Sequence, residues 1–137
     1  MTITELINFA WENAEKKGFH KTRDRVDTNY PELSGPLEPH LILAQLALIQ
    51  SEISEAVHAI QRGKQTPPFS LDFVNQNSVN FPKFFDDHLK NLFPVELADA
   101  VIRIADLCGV LGIDLERYIE LVLKRNESRP PLHDKIV

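Results

Sequence analysis

Two pairs of acidic residues occur at helical spacing and could do chemistry together. Glu52 and Glu55 are three residues apart, and so are Glu96 and Asp99. Side chains three apart on an α-helix project side by side, so each pair would present two neighbouring carboxylates. An ionised carboxylate in an apolar layer is costly unless it is paired, hydrogen-bonded or bound to a metal. Each pair therefore needs a partner if its surroundings are apolar.

Both pairs do fall in largely apolar segments. When residues 41–62 are wound at about 100° per residue, Glu52 and Glu55 fall inside one broad apolar arc. That arc consists of Leu41, Leu48, Ile49, Ile53, Ala56, Ala59 and Ile60. Residues 95–111 are apolar over most of the helix circumference, and one polar stripe within about 80° of arc remains. The stripe holds Glu96, Asp99, Arg103 and Asp106.

The partner of the carboxylates could be a metal ion or a basic side chain. Four carboxylates packed face to face would repel one another or force some of them to protonate. Mg²⁺ prefers carboxylate oxygen and shares its shell with substrate phosphates, and such ions assist water attack on a phosphoanhydride. Arg103 is one turn from both Asp99 and Asp106, and we expect it to orient Asp99 rather than to replace the metal. A single acidic pair at this spacing is more often a solvated helix face.

The elements that must position these residues all have helical patterns. Thr2 and Glu5 form a capping box, and glycines or prolines mark the helix ends. The predicted helices run from Thr2 to Gly18, from near Pro39 to near Gly63, from Pro94 to near Gly112 and from Asp114 to Pro130. Residues 19–37 are predicted to form a loop, and residues 64–93 an irregular cover with one short helix. We expect an all-α fold, a four-helix arrangement with an extra short helix, forming a single domain over residues 1–137.

Composition limits the possible function. The net charge is −5, with 15 basic and 20 acidic residues, which argues against a general nucleic-acid or membrane-surface binder. No apolar run approaches the roughly 20 residues of a membrane span, and no apolar signal core is evident. The only cysteine, Cys108, allows no intrachain disulfide and is expected to be a packed thiol. We therefore expect a cytoplasmic protein.

The segments "SEISEAVHAIQRGK" and "FPVELADAVIRIADLCGVLGIDLERYIELVLKRNESRPPLHDK" resemble the all-α nucleoside triphosphate pyrophosphohydrolases of the MazG-like group. The shared signature is ExxE on one helix and ExxD on the next, here Glu52 with Glu55 and Glu96 with Asp99. The resemblance implies that these four residues hold Mg²⁺, with Mn²⁺ as a possible substitute. It further implies hydrolysis of a nucleoside triphosphate between the α and β phosphates, by a homodimer or a tetramer built from dimers.

The resemblance also implies residues that contact the substrate. The tail "NESRPPLHDK" is similar to the family's Asn-xx-Arg-Pro motif, so Asn126 and Arg129 would face the substrate, with Lys124 a further candidate for phosphate contact. Cations at a helix carboxyl end, which favour the helix dipole, are the alternative for Lys124. Trp11 and Phe19 could stack on the base, although aromatics at helical spacing are more often core residues.

Three positions depart from the family pattern. Ser51 stands where a third glutamate is common, Val122 stands where a lysine is usual, and His133-Asp134-Lys135 replaces His-Gly-Lys. Ser51 and Val122 leave open a second hypothesis, a non-catalytic helical sensor or assembly protein that binds nucleotide and metal. His20 and His40 lie at loop or helix-start positions, and surface exposure is the expectation for both.

Overall fold

All of the regular secondary structure in the part that the computed structural model describes, residues 1–21 and 39–131, is helical. These ranges contain α1 (Ile3–Lys16), α2 (Pro39–Gln61), α3 (Phe81–His88), α4 (Phe93–Leu111) and α5 (Leu115–Glu127), with a short 3₁₀ turn at Leu71–Phe73. No strand occurs in them, which confirms the all-α prediction. The predicted loop over residues 19–37 lies mostly outside the described residues. The four-helix arrangement stays a prediction.

The helix ends follow the chemistry of their capping residues. At the start of α1 the Thr2 hydroxyl accepts from the Glu5 backbone, and the Glu5 carboxylate accepts in return from the Thr2 backbone, as the capping box predicts. After α1, Gly18 has φ of +76°, and the Phe19 amide donates to the Ala14 carbonyl. This left-handed glycine closure turns the chain sharply at the end of the helix. It is the feature that places Phe19 and its neighbour His20 beside the other helices.

The core lies where α4 packs against both α1 and α2. Its buried apolar residues are mostly small: Ala10, Ala14, Ala56, Ala59, Ala100 and Ala105, with Leu89, Leu92, Leu107 and Cys108. Small side chains allow helix axes to approach closely, and long polar side chains can then reach across the interface. Cys108 is buried, as expected for a packed thiol, and burial raises its pKa.

The α2 and α4 helices form a hairpin. The residues that connect them, 62–92, make a long excursion from the hairpin. The backbone N–H of Phe93 donates to the carbonyl of Lys64 over 2.8 Å, so the excursion leaves and returns at one point. The excursion contains the 3₁₀ turn and α3, and α3 is the short helix predicted within residues 81–93. The hairpin sets the acidic segments of α2 and α4 against each other.

The α2 helix also carries an apolar face that no described part of the chain covers. Its members are Leu43, Leu46, Ile53, Val57 and Ile60, each at least 41% exposed. We call these five residues the outer face. Ile53 and Ile60, which the helical winding places in one broad apolar arc with Glu52, are therefore not buried by α4, because apolar residues extend too far around α2 for α4 to cover them all. No helix in the described ranges is long and apolar enough to cross a lipid bilayer.

Candidate metal centre and adjoining cleft

Three carboxylates from two helices converge at the α2–α4 interface. One oxygen from each of Glu52, Glu96 and Asp99 lies within 4.8 Å of the others, so the three could hold a metal ion. Glu52 and Glu96 are buried, at 8% and 5% exposure, and Asp99 is more exposed than either. The buried positions of Glu52 and Glu96 agree with the helical winding of the sequence. We call these three residues the carboxylate cluster.

The antiparallel course of α2 and α4 brings the cluster together. Glu52 lies beside Asp99, and three residues later on α2, Glu55 lies beside Glu96, three residues earlier on α4. Small buried neighbours, Ala56 on α2 and Ala100 on α4, leave room for the carboxylates between the helices. The two acidic pairs therefore face each other in the manner that their spacing predicts.

Electrostatic repulsion and burial both act on the cluster. The pKa of Glu96 is raised, first by burial and then by the neighbouring carboxylates of Glu55, Asp99 and Glu52. The pKa of Asp99 is raised by burial and by Glu52, with partial relief from the positive charge of Arg103. A raised carboxylate pKa means that the surroundings disfavour the anion, which a bound cation would reverse. Oxygen donors alone suit hard ions such as Mg²⁺ and Mn²⁺.

Glu55 differs from its three partners. Its side chain is exposed, so the expectation that it is set in an apolar layer was wrong, and it is not a member of the three-oxygen cluster. On the helical wheel Glu55 lies about 60° from Glu52, at the edge of the surface that α4 covers. Its carboxylate is still close enough to raise the pKa of Glu96. Glu55 therefore occupies the rim of the site.

Arg103 connects the cluster to the rest of the interface. Its Nε donates a hydrogen bond to Oε1 of Glu52, across from α4 to α2. The sequence pointed instead to Asp99 as its partner, because Asp99 is one turn away on the same helix. The narrow interface explains the difference, since a long side chain reaches the facing helix as easily as its own. Arg103 still acts on Asp99 through its charge, which partly opposes the rise in the pKa of that carboxyl caused by burial and by Glu52.

A cleft of about 360 Å³ opens beside the cluster, between α1, α2 and α4. Glu52, Asp99 and Arg103 line one part of it. The remaining lining residues are Ala10, Asn13, Ala14, Phe19, His20, Gln45, Leu48, Ile102 and Asp106. Pockets that bind small molecules have volumes of this order and combine apolar walls with a few polar groups. A small anionic ligand could thus bind next to the carboxylates and a guanidinium.

His20 is part of this wall, so the expectation of a surface histidine was wrong for it. Its side chain is only 13% exposed. Nδ1 lies 2.8 Å from a carboxylate oxygen of Glu15, and Nε2 lies 3.0 Å from one of Asp106. Burial raises the pKa of Asp106, while the His20 charge and hydrogen bond act in the opposite direction. His40, at the start of α2, is exposed as expected.

The two aromatic candidates occupy different places. Phe19 is 72% exposed and lines the cleft, where it could stack on a base. Trp11 packs against Gly109 of α4, where an added Cβ would come within 2.9 Å of the Trp11 Cβ. The Trp11 ring lies 6.0 Å from the His20 ring, between centroids. Trp11 therefore contributes to the α1–α4 contact and reaches the cleft through His20.

The tail residues lie apart from the described lining of the cleft. Lys124, Asn126 and Arg129 are exposed at the end of α5, where Lys124 contacts Glu127 and Arg129 contacts Asn126. None of the three lines the cleft within residues 1–21 and 39–131. Their substrate contacts stay predictions. His133, Asp134 and Lys135 lie outside the described residues.

The chain has no significant match among protein-family models, curated proteins or solved structures. The chemistry of the carboxylate cluster and its cleft must therefore support any functional assignment. That chemistry combines three converging carboxylates, an arginine beside them and a pocket large enough for a small molecule. Together they suit a metal-assisted reaction of an anionic substrate.

Proposed function

We propose that the protein hydrolyses a nucleoside triphosphate between the α and β phosphates in a Mg²⁺-dependent reaction, giving the nucleoside monophosphate and pyrophosphate. The observation that carries the proposal is the convergence of Glu52, Glu96 and Asp99 from two helices beside a cleft. The sequence resemblance to MazG-like pyrophosphohydrolases supports the reaction type.

The donor set fits the ion that this reaction needs. Glu52, Glu96 and Asp99 would hold Mg²⁺, or Mn²⁺ in its place, with Glu55 adding a fourth carboxylate from the rim. When bound, the ion supplies polarisation of the phosphoryl oxygens and a lowered pKa for the attacking water. Because Glu55 is exposed yet beside Glu96, we assign it the hydrogen bond that orients that water.

The basic and aromatic residues take the remaining roles. Arg103 holds the Glu52 carboxylate in place and presents its guanidinium to the cleft, where its N–H groups can donate to phosphate oxygens. Phe19 offers a stacking surface for the base in the same cleft, and Trp11 supports that wall. Lys124, Asn126 and Arg129 would contact phosphate or sugar, as the resemblance implies.

Assembly with other copies of the chain is part of the proposal. The outer face exposes five large apolar residues along α2, which is more than a monomer ordinarily leaves to water in one strip. A second copy that covers this strip would give the homodimer, or a tetramer built from dimers. The negative net charge makes nucleic acid an unfavourable partner.

The test is pyrophosphate release from a panel of standard and modified nucleoside triphosphates with Mg²⁺, Mn²⁺ or a chelator. We expect metal-dependent release that Glu52→Gln and Asp99→Asn both reduce by at least about 100-fold. Circular dichroism of each variant checks that the helices are retained. A nucleotide that stabilises the protein together with Mg²⁺ but yields no pyrophosphate would favour the non-catalytic sensor or assembly protein instead.

A further inference from the structure

The cleft has a second polar end, two helical turns away from the carboxylate cluster. Gln45 precedes Glu52 by seven residues on α2, and Asp106 follows Asp99 by seven on α4. Seven residues are two turns, so each residue lies on the same face as its partner and about 10 Å along the helix. Because α2 and α4 run in opposite directions, Gln45 and Asp106 arrive at the same end of the cleft, and both line it.

Other elements add groups of complementary kinds to the cleft. Asn13 of α1 lines it with a second side-chain amide, and Phe19, which precedes His20 in the chain, lines it with an exposed aromatic ring. Between the two ends the wall is formed by Leu48, Ile102 and Arg103. Along the cleft, the lining is therefore anionic at the carboxylate cluster and mainly apolar in the middle. At the far end it offers amide and carboxylate groups that can form hydrogen bonds. A nucleotide has the matching order of phosphate, sugar and base.

Asp106 is held in a fixed orientation at this end. Its two carboxylate oxygens lie 3.0 and 3.4 Å from Nε2 of His20, whose Nδ1 is engaged by Glu15. The side chains of His20 and Asp106 are 13% and 19% exposed, so little water competes for them. An ionised carboxylate only accepts hydrogen bonds, whereas an amide such as Gln45 both donates and accepts. Asp106 and Gln45 therefore supply an acceptor and a possible donor from the two facing helices.

We infer that this end of the cleft selects a nucleobase with an exocyclic amino group, as in cytosine or adenine, over the corresponding keto base. Asp106 accepts from the amino group, Gln45 donates to the adjacent ring nitrogen, and Phe19 stacks on the ring. Carboxylates pair with the cytosine amino group, and glutamine with adenine, for the same geometrical reason in nucleic-acid recognition. The inference rests on the proposed function, because it assumes that the phosphates of the nucleotide bind at the carboxylate cluster.

The experiment compares two matched pairs, CTP with UTP and ATP with ITP, which differ at the amino or keto position. Calorimetry on the full-length chain with Mg²⁺ and the α,β-imido analogues gives dissociation constants that do not depend on turnover. We expect the amino member of at least one pair to bind about tenfold more tightly. Asp106→Asn, which can donate to a keto oxygen, should abolish or reverse that preference. Asp86→Asn, an exposed carboxylate on α3, should leave it unchanged.

Each outcome decides the inference independently of the reaction. Equal affinities, or an amino preference that survives Asp106→Asn, would overturn it, while pyrophosphate release from the same nucleotides would leave the proposed function standing. An amino preference without hydrolysis would support the subsite and contradict the enzyme. No binding of any analogue would overturn the inference. If Asp106→Asn does not fold, Gln45→Leu is measured in its place and is expected to reduce the same ratio.

Discussion

Arg103 on α4 donates a hydrogen bond from Nε to Oε1 of Glu52 on α2, at the edge of the carboxylate cluster. Glu52 is buried, whereas the Arg103 side chain is 43% exposed and lines the cleft. The guanidinium therefore offsets part of the negative charge of a buried candidate ligand.

Replacing Arg103 by methionine should destabilise the protein in the absence of divalent ions. The change leaves the Glu52 carboxylate buried without its cation, and we expect a loss of about 2 kcal/mol in the free energy of unfolding. This is less than a fully buried pair would lose, because Arg103 is partly solvated. Saturating Mg²⁺ should stabilise the variant more than the wild type, since a cation again faces Glu52. Urea unfolding with and without Mg²⁺ measures both effects.

The matched control for that substitution is Arg117→Met. Arg117 pairs with Glu120 three residues along α5, and both side chains are well exposed. Such a surface pair contributes only about 0.5 kcal/mol. Equal losses in the Arg103 and Arg117 variants would contradict the role given to Arg103.

The pH dependence of stability should carry the signature of the cluster. The pKa values of Glu96 and Asp99 are raised above their ordinary 4.5 and 3.8, so the folded state holds protons that the unfolded state has released. Ionising these two carboxyls in the folded state destabilises the protein. This destabilisation is absent below the ordinary pKa values and complete above the raised ones, so the free energy of unfolding falls as pH rises from the ordinary to the raised pKa values. We expect Glu96→Gln to gain stability relative to the wild type over this interval. Urea midpoints in chelator, from about pH 4 to about pH 8, test it.

Excess Mg²⁺ provides the control for the pH experiment. A bound cation favours the ionised carboxylates, so the advantage of Glu96→Gln at higher pH should disappear. Parallel stability curves for wild type and variant in chelator would show that the cluster is not under electrostatic strain.

Glu52 and Glu55 should differ in their effect on metal binding, although both belong to the ExxE motif. Glu52 is in the buried cluster and Glu55 is on its rim. We expect Glu52→Gln to lose high-affinity Mn²⁺ binding, measured by electron paramagnetic resonance, and Glu55→Gln to retain at least one ion. Pyrophosphate release should nevertheless fall in Glu55→Gln, by at least about 100-fold, if the residue orients water. Loss of all Mn²⁺ in Glu55→Gln would place that residue among the essential ligands.

The outer face of α2 should control assembly. A charged residue in an apolar interface is costly, so Leu46→Glu combined with Val57→Glu is expected to convert the oligomer to monomer. Light scattering coupled to gel filtration gives the mass directly. The control is Ser54→Glu with His58→Glu, two exposed α2 positions outside the apolar strip, and it should keep the wild-type mass. A wild-type monomer would contradict the assembly proposal.

Much of the fold could be read from local sequence. The capping box at Thr2, the glycine after α1 and the aspartate before α5 act within a few residues, so they fixed helix ends correctly. The winding of α2 and α4 also found the cluster, because the acidic spacing and the buried alanines follow the same helical period. The start of α4 was misplaced by only one residue, at Phe93 rather than Pro94.

Contacts between helices could not be read in this way. The partner of Arg103 depends on the distance between α2 and α4, which no single helix encodes. His20 follows a helix end and has no periodic signal, so its place between Glu15 and Asp106 emerged only with the packing of α1 on α4. The exposure of Glu55 depends on how much of α2 is covered. A helical wheel gives the direction in which a side chain projects, but it does not show how much of that side chain the neighbouring helices bury.

The most direct test of the central claim is phosphorus NMR of the products formed from a nucleoside triphosphate with Mg²⁺ by the wild type and by Glu52→Gln. Cleavage between the α and β phosphates predicts nucleoside monophosphate and pyrophosphate in equal amounts, absent with chelator and with Glu52→Gln. Formation of nucleoside diphosphate and inorganic phosphate, or an unchanged triphosphate in the presence of folded, metal-bound wild type, would contradict it.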